Sequence, residues 1–447
     1  MSSVVTVVGG GLAGCEAAVQ LARRGARVRL VEMRPVRSTP AHRTDALGEL
    51  VCSNSFKAED PVNAHGQLKR EMRSLGSVLL ASAERARVPA GSALAVDRDL
   101  FGRAMTDAVA AEERIQVVRE EAAELPEGPA VVATGPLTSD ALSAAVRAAL
   151  GDGGLAFYDA IAPIVHRDSL DESVVFQAGR FGEDADYLNC PMSRDEYEAF
   201  IAALRAADVH EGHDWDAVPF FEGCLPIEVM AARGTDTLRF GPMKPIGLID
   251  PRTGRRPWAV VQLRREDRAA QMWNLVGFQT RLRVGEQRKV FGMIPGLAGA
   301  EFLRWGSIHR NSYLDFPRCL TPHGSLRHRT DLVFAGQLTG VEGYTESAAS
   351  GILAGVNLAR ILKGKEPVVP PPTTMLGALL RYLREGAHGR FQPMNSNWGL
   401  VDPLPEAIRD KHAKREALAR RAQEDFLSWM ASHALEPAPD TAPAAGG

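Results

Sequence analysis

Three sets of residues in this chain have types and spacings that suit chemistry: a cluster of glycines, five cysteines and a stretch dense in arginine. Gly9, Gly10, Gly11, Leu12, Ala13 and Gly14 make a Gly-x-Gly-x-x-Gly spacing, and Glu32 stands 18 residues after Gly14. Gly9 permits a tight turn, Gly11 lets the backbone approach a pyrophosphate with no Cβ in the way, and Gly14 lets a helix pack closely on a sheet. The N–H groups at the start of that helix face phosphate, and a carboxylate such as Glu32 accepts hydrogen bonds from the adenosine ribose. This is dinucleotide chemistry, and the spacing alone does not separate FAD from NAD. Cys15, Cys52, Cys190, Cys224 and Cys319 are odd in number and include no Cys-x-x-Cys pair, so they outline neither a disulfide framework nor a zinc site, and no metal is expected. Each free thiol is either a small buried apolar side chain or, as a thiolate, a nucleophile or base. Between Arg252 and Lys289 ten Lys/Arg stand against three Asp/Glu, which suits either a phosphate-binding surface or a solvated face.

The elements that must hold these residues are legible in the hydrophobic pattern. Val4 to Val8 reads as a buried strand, the glycines follow it, and a helix runs to about Arg24, where Gly25 can end it. Val28 to Val31 is a second strand, with Glu32 at its end. From about 40 to 92 the periodicity weakens, and Ala41 to Phe56 reads as a loop with short helical turns. Arg98 to Ala111 reads as a helix, Ala130 to Ala133 as a strand ending in Thr134-Gly135, and Leu332 to Phe334 as a strand running into Ala335-Gly336-Gln337. A helix then spans about Tyr344 to Leu362. Three features favour FAD: the glycine spacing opens the chain, and the segments at Gly135 and at Gly336-Gln337 resemble those of two-dinucleotide-binding-type flavoproteins. In such proteins backbone N–H groups and a helix N-terminus face the flavin and stabilise its anionic reduced form. Gly151-Asp152-Gly153-Gly154 follows a helical run rather than a strand, so a nicotinamide reductant is expected to dock transiently against the flavin.

After about residue 155 Trp, Tyr and Pro become more frequent and apolar residues alternate, as in Trp258 to Leu263. The expected fold is therefore α/β: a Rossmann-like FAD domain of the two-dinucleotide-binding type (1–155 and 325–365) with an inserted smaller α+β domain (156–324). A C-terminal helical segment (366–435) follows a proline-rich linker, and the last residues (436–447) read as a disordered tail. The 447 residues are 45% hydrophobic, enough for a large core. A net charge of −3 gives no general attraction to nucleic acid, and DNA is not expected as a partner. No apolar run reaches the roughly 18–20 residues of a membrane span, and the first strand begins too early to follow a signal peptide, so a cytoplasmic location is expected.

At Leu50-Val51-Cys52-Ser53-Asn54-Ser55-Phe56 the sequence becomes specific. With Val31-Glu32-Met33-Arg34-Pro35, Leu188-Asn189-Cys190-Pro191-Met192 and Phe221-Glu222-Gly223-Cys224-Leu225-Pro226 it resembles the GidA-related flavoproteins that modify uridines in RNA. Gly241-Pro242-Met243-Lys244-Pro245, Asn274 to Thr280 and Gly340-Val341-Glu342-Gly343-Tyr344 complete the likeness. The match is to the shorter branch, the folate- and FAD-dependent tRNA (uracil-5-)-methyltransferases or TrmFO family, and covers about residues 3 to 400. The longer branch carries a large C-terminal helical region for which this chain is too short.

The resemblance implies transfer of the methylene carbon of 5,10-methylenetetrahydrofolate to C5 of a uridine in the T-loop of tRNA. Reduced FAD, regenerated by NAD(P)H, supplies the electrons that complete the methyl group. It assigns Cys224 as nucleophile and Cys52 as base near the flavin. Those types suit the chemistry, since C5 of uracil becomes nucleophilic only after a thiolate adds to C6, and a base must then remove the C5 proton. The residues themselves do not say which thiol does which. A ribosomal-RNA uridine is an alternative substrate. Two other classes are a flavin oxidoreductase acting on a small molecule, which would not need Cys224, and a non-catalytic RNA-binding protein holding FAD structurally. His309, in the family-like segment Trp305 to Asp315, either lines the folate or base pocket or belongs to the core, and the aromatics from Phe391 to Trp398 either contribute to the site or simply pack.

Overall fold

The computed structural model describes residues 4–435 except 40, 151–153, 183–184, 211–224, 268–269 and 386–392, and describes the backbone alone for 154–161, 182 and 307–312. The first strand, Val4–Val8, lies in the middle of a six-stranded sheet. The sheet order by residues is 325–326, 329–334, 130–132, 4–8, 27–32 and 115–119. Every pairing in it is parallel except the edge pair 325–326 with 329–334. Strands covered on both faces need continuous apolar runs, and Val5, Val7, Val8, Leu30, Val131 and Val333 are buried in this way.

Helices Leu12–Arg23 and Tyr344–Leu362 pack against each other. Small residues permit the approach: a Cβ on Gly351 would lie 2.2 Å from the carbonyl oxygen of Ala13. Two further helices, Ala64–Ser74 and Val78–Arg85, fill the stretch of weak periodicity. The buried residues of the first include Gln67, Lys69 and Glu71, so its inward side looks like a solvent-facing one in the sequence. Glu71 accepts hydrogen bonds from the N–H groups of Met375 and Leu376 at 2.8 Å each, capping the helix Met375–Glu385 across more than 300 residues. Glu16 caps Val78–Arg85 in the same manner, accepting from the N–H groups of Val78 and Leu79. Leu383, Leu418, Phe426 and Met430 of the C-terminal helices belong to the same apolar core as the parallel sheet.

The chain leaves this unit along 154–161 and returns along 307–314, two strands paired antiparallel to each other. Between them lies a second six-stranded sheet in the order 176–177, 187–192, 259–265, 272–275, 164–166 and 302–304, antiparallel throughout. One face carries Cys190, Val261, Leu263 and Leu275 into a separate core with Phe200, Phe278 and Phe291. On the other face Asn189 pairs with Gln262, and Arg264 pairs with Asn274. That polar face faces the loop of Cys52, as the hydrogen bonds below establish. Among the described residues no helix is long and apolar enough to cross a membrane.

Candidate active site

Three loops leave the carboxyl ends of neighbouring strands of the parallel sheet and meet. Gly9 takes φ +103°, and a Cβ there would strike the backbone of Ala133 and Thr134 within 3 Å. Gly336 takes φ +76°, and its missing Cβ makes room for Ala13 at 2.9 Å. The glycine segment, the segment ahead of Gly135 and Gly336 are thus brought together at the place where open α/β sheets bind ligands. Gly14 fits so tightly that a Cβ would lie 1.8 Å from the carbonyl oxygen of Gly9. Gly11 differs: no protein atom lies within 4 Å of where its Cβ would stand.

Gly11 starts the helix Leu12–Arg23 with no side chain capping its first turn, which leaves N–H groups for a phosphate. The adjoining cleft opens to solvent and is lined among others by Gly11, Glu32, Met33, Ala122 and Thr134. Glu32 Oε2 accepts from the N–H of Gly10 at 2.8 Å, while Oε1 accepts from Arg34 Nε at 2.8 Å and from its N–H at 3.0 Å. Burial opposes the charge of Glu32, but the Arg34 guanidinium and these N–H groups hold its carboxyl below the usual range. Glu49 in turn binds Arg34 at 2.8 Å. Oε1 already accepts twice from Arg34, whereas Oε2 accepts from Gly10 alone and keeps a second acceptor direction for a ribose hydroxyl. Open space at Gly11, an uncapped helix end and an ionised Glu32 fit a dinucleotide.

On the flavin side, the helix Tyr344–Leu362 also begins without a side-chain cap, after Gly343 at φ +116°. The N–H of Gly336 donates to Ser350 Oγ at 2.7 Å, and the side chain of Gln337 donates to Glu342 at 3.1 Å. The Gln337 side chain is therefore tied within its loop, and what remains for a ligand there is backbone and helix terminus.

Cys52 sits on a loop held from several directions. The N–H groups of Cys52 and Ser53 donate to the hydroxyl of Tyr344, at 2.8 and 3.0 Å. Burial pushes the Tyr344 phenol well above its ordinary range, so the ring stays neutral. Arg98 donates to the carbonyls of Leu50 and Cys52 and to Glu266, which is fully buried. From the inserted sheet, Arg304 donates to the carbonyl of Val51 at 2.7 Å. Arg264 donates to Ser53 Oγ at 2.9 Å and Asn54 Oδ1 at 3.0 Å. Burial, with Arg98 and Arg43 close by, lowers Arg304 to about 10. The surroundings of Cys52 are therefore cationic, and both units of the protein build them. Sequence reasoning did not find Arg98, Arg264, Arg304 or Glu266, since nothing in their spacing relates them to residue 52.

Of the cysteines described, Cys52 is the one not buried. Burial pushes the thiols of Cys15 and Cys190 up, Cys190 to about 12, and that of Cys319 upward as well, so these three are core residues. Cys224 lies outside the described residues. His309 lies on the strand 307–314, and its side chain is not described. The arginine-rich stretch divides. Arg264 turns inward to the Cys52 loop, Arg281 reaches Glu228 and Arg265 lies against Trp273, while Arg255 and Arg256 are exposed. The surface available to phosphate is thus smaller than the ten-to-three count implies.

Comparison with known proteins gives the family. Residues 4–366 match the family model for glucose inhibited division protein A. The methylenetetrahydrofolate–tRNA-(uracil-5-)-methyltransferase TrmFO of Geobacter sulfurreducens is 54% identical over 435 residues, 97% of this chain and all of the relative. The protein of the same name from Thermus thermophilus is 54% identical over 426 residues, 95% of this chain and 96% of the relative. Among solved structures, Aquifex aeolicus GidA superposes with a TM-score of 0.68 at 18% identity, over 96% of this chain and 75% of that one, a likeness of fold.

Proposed function

Because this chain belongs to the glucose inhibited division protein A family, and within it to the TrmFO methyltransferases, we propose a division of labour among its residues for that reaction. The protein is a methylenetetrahydrofolate–tRNA-(uracil-5-)-methyltransferase, a flavoprotein that uses folate and acts on tRNA. Gly11, Glu32 and the N-terminus of the helix at Tyr344 would hold FAD, which would supply the hydride that completes the methyl group. NAD(P)H is the reductant that restores it, docking transiently, and the uridine is that of the T-loop.

In this reading Cys224 adds through Sγ to C6 of the uracil, which turns C5 into a nucleophilic carbon. C5 then bonds to the methylene carbon of the folate. Cys52 accepts the proton from C5 as tetrahydrofolate leaves, giving an exocyclic methylene. Hydride arriving at that carbon makes the methyl group, and the Cys224 sulfur departs from C6. The residues around Cys52 serve orientation: Tyr344, Arg98 and Arg304 hold the backbone from Val51 to Ser53, and Arg264 holds the side chains of Ser53 and Asn54, so that the thiol is presented from a fixed loop.

One observation carries this assignment of Cys52. Its loop is hydrogen-bonded to Tyr344, the first residue of the helix that follows the flavin-side loop. The test is to incubate purified protein with NADPH and labelled methylenetetrahydrofolate, with unmodified tRNA and with unmodified ribosomal RNA in parallel, and to map the product. Labelled 5-methyluridine in the T-loop is the expected result. Label in ribosomal RNA but not in tRNA, or oxidation of NADPH with no RNA product, would replace this reading.

A further inference from the structure

At the end of the inserted sheet where the strand 259–265 begins, aromatic and cationic side chains gather at the surface. The Arg239 guanidinium lies 3.8 Å from the Trp258 ring centroid and 5.6 Å from that of Phe240, and Arg194 lies 5.3 Å from Trp258. Phe240 is 73% exposed, an orientation that leaves a large apolar ring in water. Farther along the chain Ile246 and Ile249 are exposed as well, as is Phe181, which packs on Gly247. The position is fixed. Arg239 Nε donates to the carbonyl of Trp258, the N–H of Arg239 donates to the Tyr197 hydroxyl, and the N–H of Val260 donates to the carbonyl of Met243.

The charges around this ring are arranged in two classes. Glu198 is paired with Arg194, and Asp250 with Arg252. Arg239, Lys244, Arg255 and Arg256 have no carboxylate partner within 4 Å among the described residues, and the last three are exposed. Lys is depleted from the cores of protein interfaces, and the exposed Lys244, Arg255 and Arg256, without carboxylate partners among the described residues, call for an anionic partner. A flat ring flanked by such cations matches a nucleic-acid strand, whose bases stack on any aromatic face while its phosphates seek cations. Trp258 immediately precedes the strand that ends in Arg264 and Arg265, so this cluster stands about 20 Å along the strand from the residue that holds the Cys52 loop. A tRNA arm spans that distance.

We propose that Phe240, backed by Arg239 and Trp258, is a stacking platform for an unpaired base of the tRNA, with Lys244, Arg255 and Arg256 on the adjoining phosphates. The platform rests on tRNA being the substrate. The test measures binding of an unmodified tRNA transcript to FAD-loaded wild type, Phe240→Ala, Phe240→Trp and Lys244→Ala at several salt concentrations. Phe240→Ala should weaken binding about five- to a hundredfold, the range for loss of one stacked base, with its salt dependence unchanged. Phe240→Trp should bind as wild type, and Lys244→Ala should reduce the log–log salt slope by about one. FAD content and reduction by NADPH should be the same in all four. Wild-type affinity in Phe240→Ala would overturn the platform while leaving the substrate intact. A drop in subunit number on sedimentation of Phe240→Ala would overturn it in favour of contact with a second copy of the chain. A wild type that binds no tRNA would refute the substrate reading and the platform together.

Discussion

Arg264 and Ser53, 211 residues apart in the chain, meet at 2.9 Å, and this contact ties the inserted sheet to the loop that carries Cys52. The polar face of that sheet thereby borders the candidate active site around Cys52. Arg264→Ala should lower the methylation rate between about tenfold and a hundredfold, as expected when a reacting group loses its position. FAD content should not change. Arg264→Lys should recover only part of the rate, because an ammonium cannot serve Ser53 and Asn54 with the geometry of a guanidinium. A rate unchanged in Arg264→Ala would show that the loop is held well enough without it.

Arg98→Ala should have a second consequence. It leaves Glu266, fully buried, without the guanidinium bonded to Oε2. Breaking one side of a buried pair costs on the order of 3 kcal/mol, so the melting temperature should fall together with activity. Arg264 lies farther from Glu266, 3.8 Å against 2.5 Å for Arg98, so Arg264→Ala should lower the melting temperature less, which thermal unfolding measures.

Gly11 and Gly14 predict opposite failures. At Gly11 the protein leaves open space, so Gly11→Val should fold and yet lose FAD, with affinity lowered roughly tenfold or more by the side chain in the pyrophosphate position. At Gly14 a Cβ would meet the carbonyl oxygen of Gly9, so Gly14→Ala should lower the stability of the apoprotein itself. Flavin absorbance and unfolding of the apoprotein read the two effects. A Gly11→Val protein with full FAD occupancy would contradict the cradle.

The two thiols are separated by an RNA containing 5-fluorouridine. Fluorine cannot leave C5 as a cation, so addition of Cys224 to C6 should trap a protein–RNA adduct visible on a denaturing gel. Cys224→Ala should lose both the adduct and methylation. Cys52→Ala should lose methylation and keep the adduct, because the base acts after addition. The reverse pattern would exchange the roles, and normal methylation by both variants would make them ordinary residues.

Two buried carboxyls set a pH dependence of stability. Burial lifts Glu16 and Glu71 from an ordinary 4.5 to about 7, against the N–H groups that each accepts. Below about 4.5 folded and unfolded chains both hold the proton. Between 4.5 and 7 the unfolded chain loses it first, so stability falls as pH rises and levels off above 7. Glu71→Gln keeps an acceptor for Met375 and removes this loss. Its melting temperature relative to wild type should therefore rise from pH 5 to pH 8, by the equivalent of on the order of 3 kcal/mol. Glu346 has the opposite sign: although burial raises it, His65, Lys57 and the N–H of Ser396 hold it below the usual carboxylate range, so its contribution is lost only in acid. A relative stability of Glu71→Gln that is flat with pH would mean that Glu71 is ionised in the fold.

The sequence by itself determined the dinucleotide cradle. Strand, glycines, helix and Glu32 are neighbours in the chain, and their mutual placement follows from local geometry: Val4–Val8 and Tyr344–Leu362 fall where the hydrophobic pattern puts them. The family likeness was legible for the same reason, in short contiguous segments. Helix Ala64–Ser74 was not legible, because Gln67, Lys69 and Glu71 are buried and periodicity reports only apolar faces. Nor was the holding of Cys52. Arg98, Arg264, Arg304 and Tyr344 come from four separate elements, and their selectivity for this loop lies in hydrogen-bond directions that exist only once two sheets are packed together. The arginine-rich stretch makes the same point. Alternation along a strand sends Arg264 to the Cys52 loop and Arg265 to Trp273, while the turn before it leaves Arg255 and Arg256 in water, a division that pairing and packing decide and composition does not.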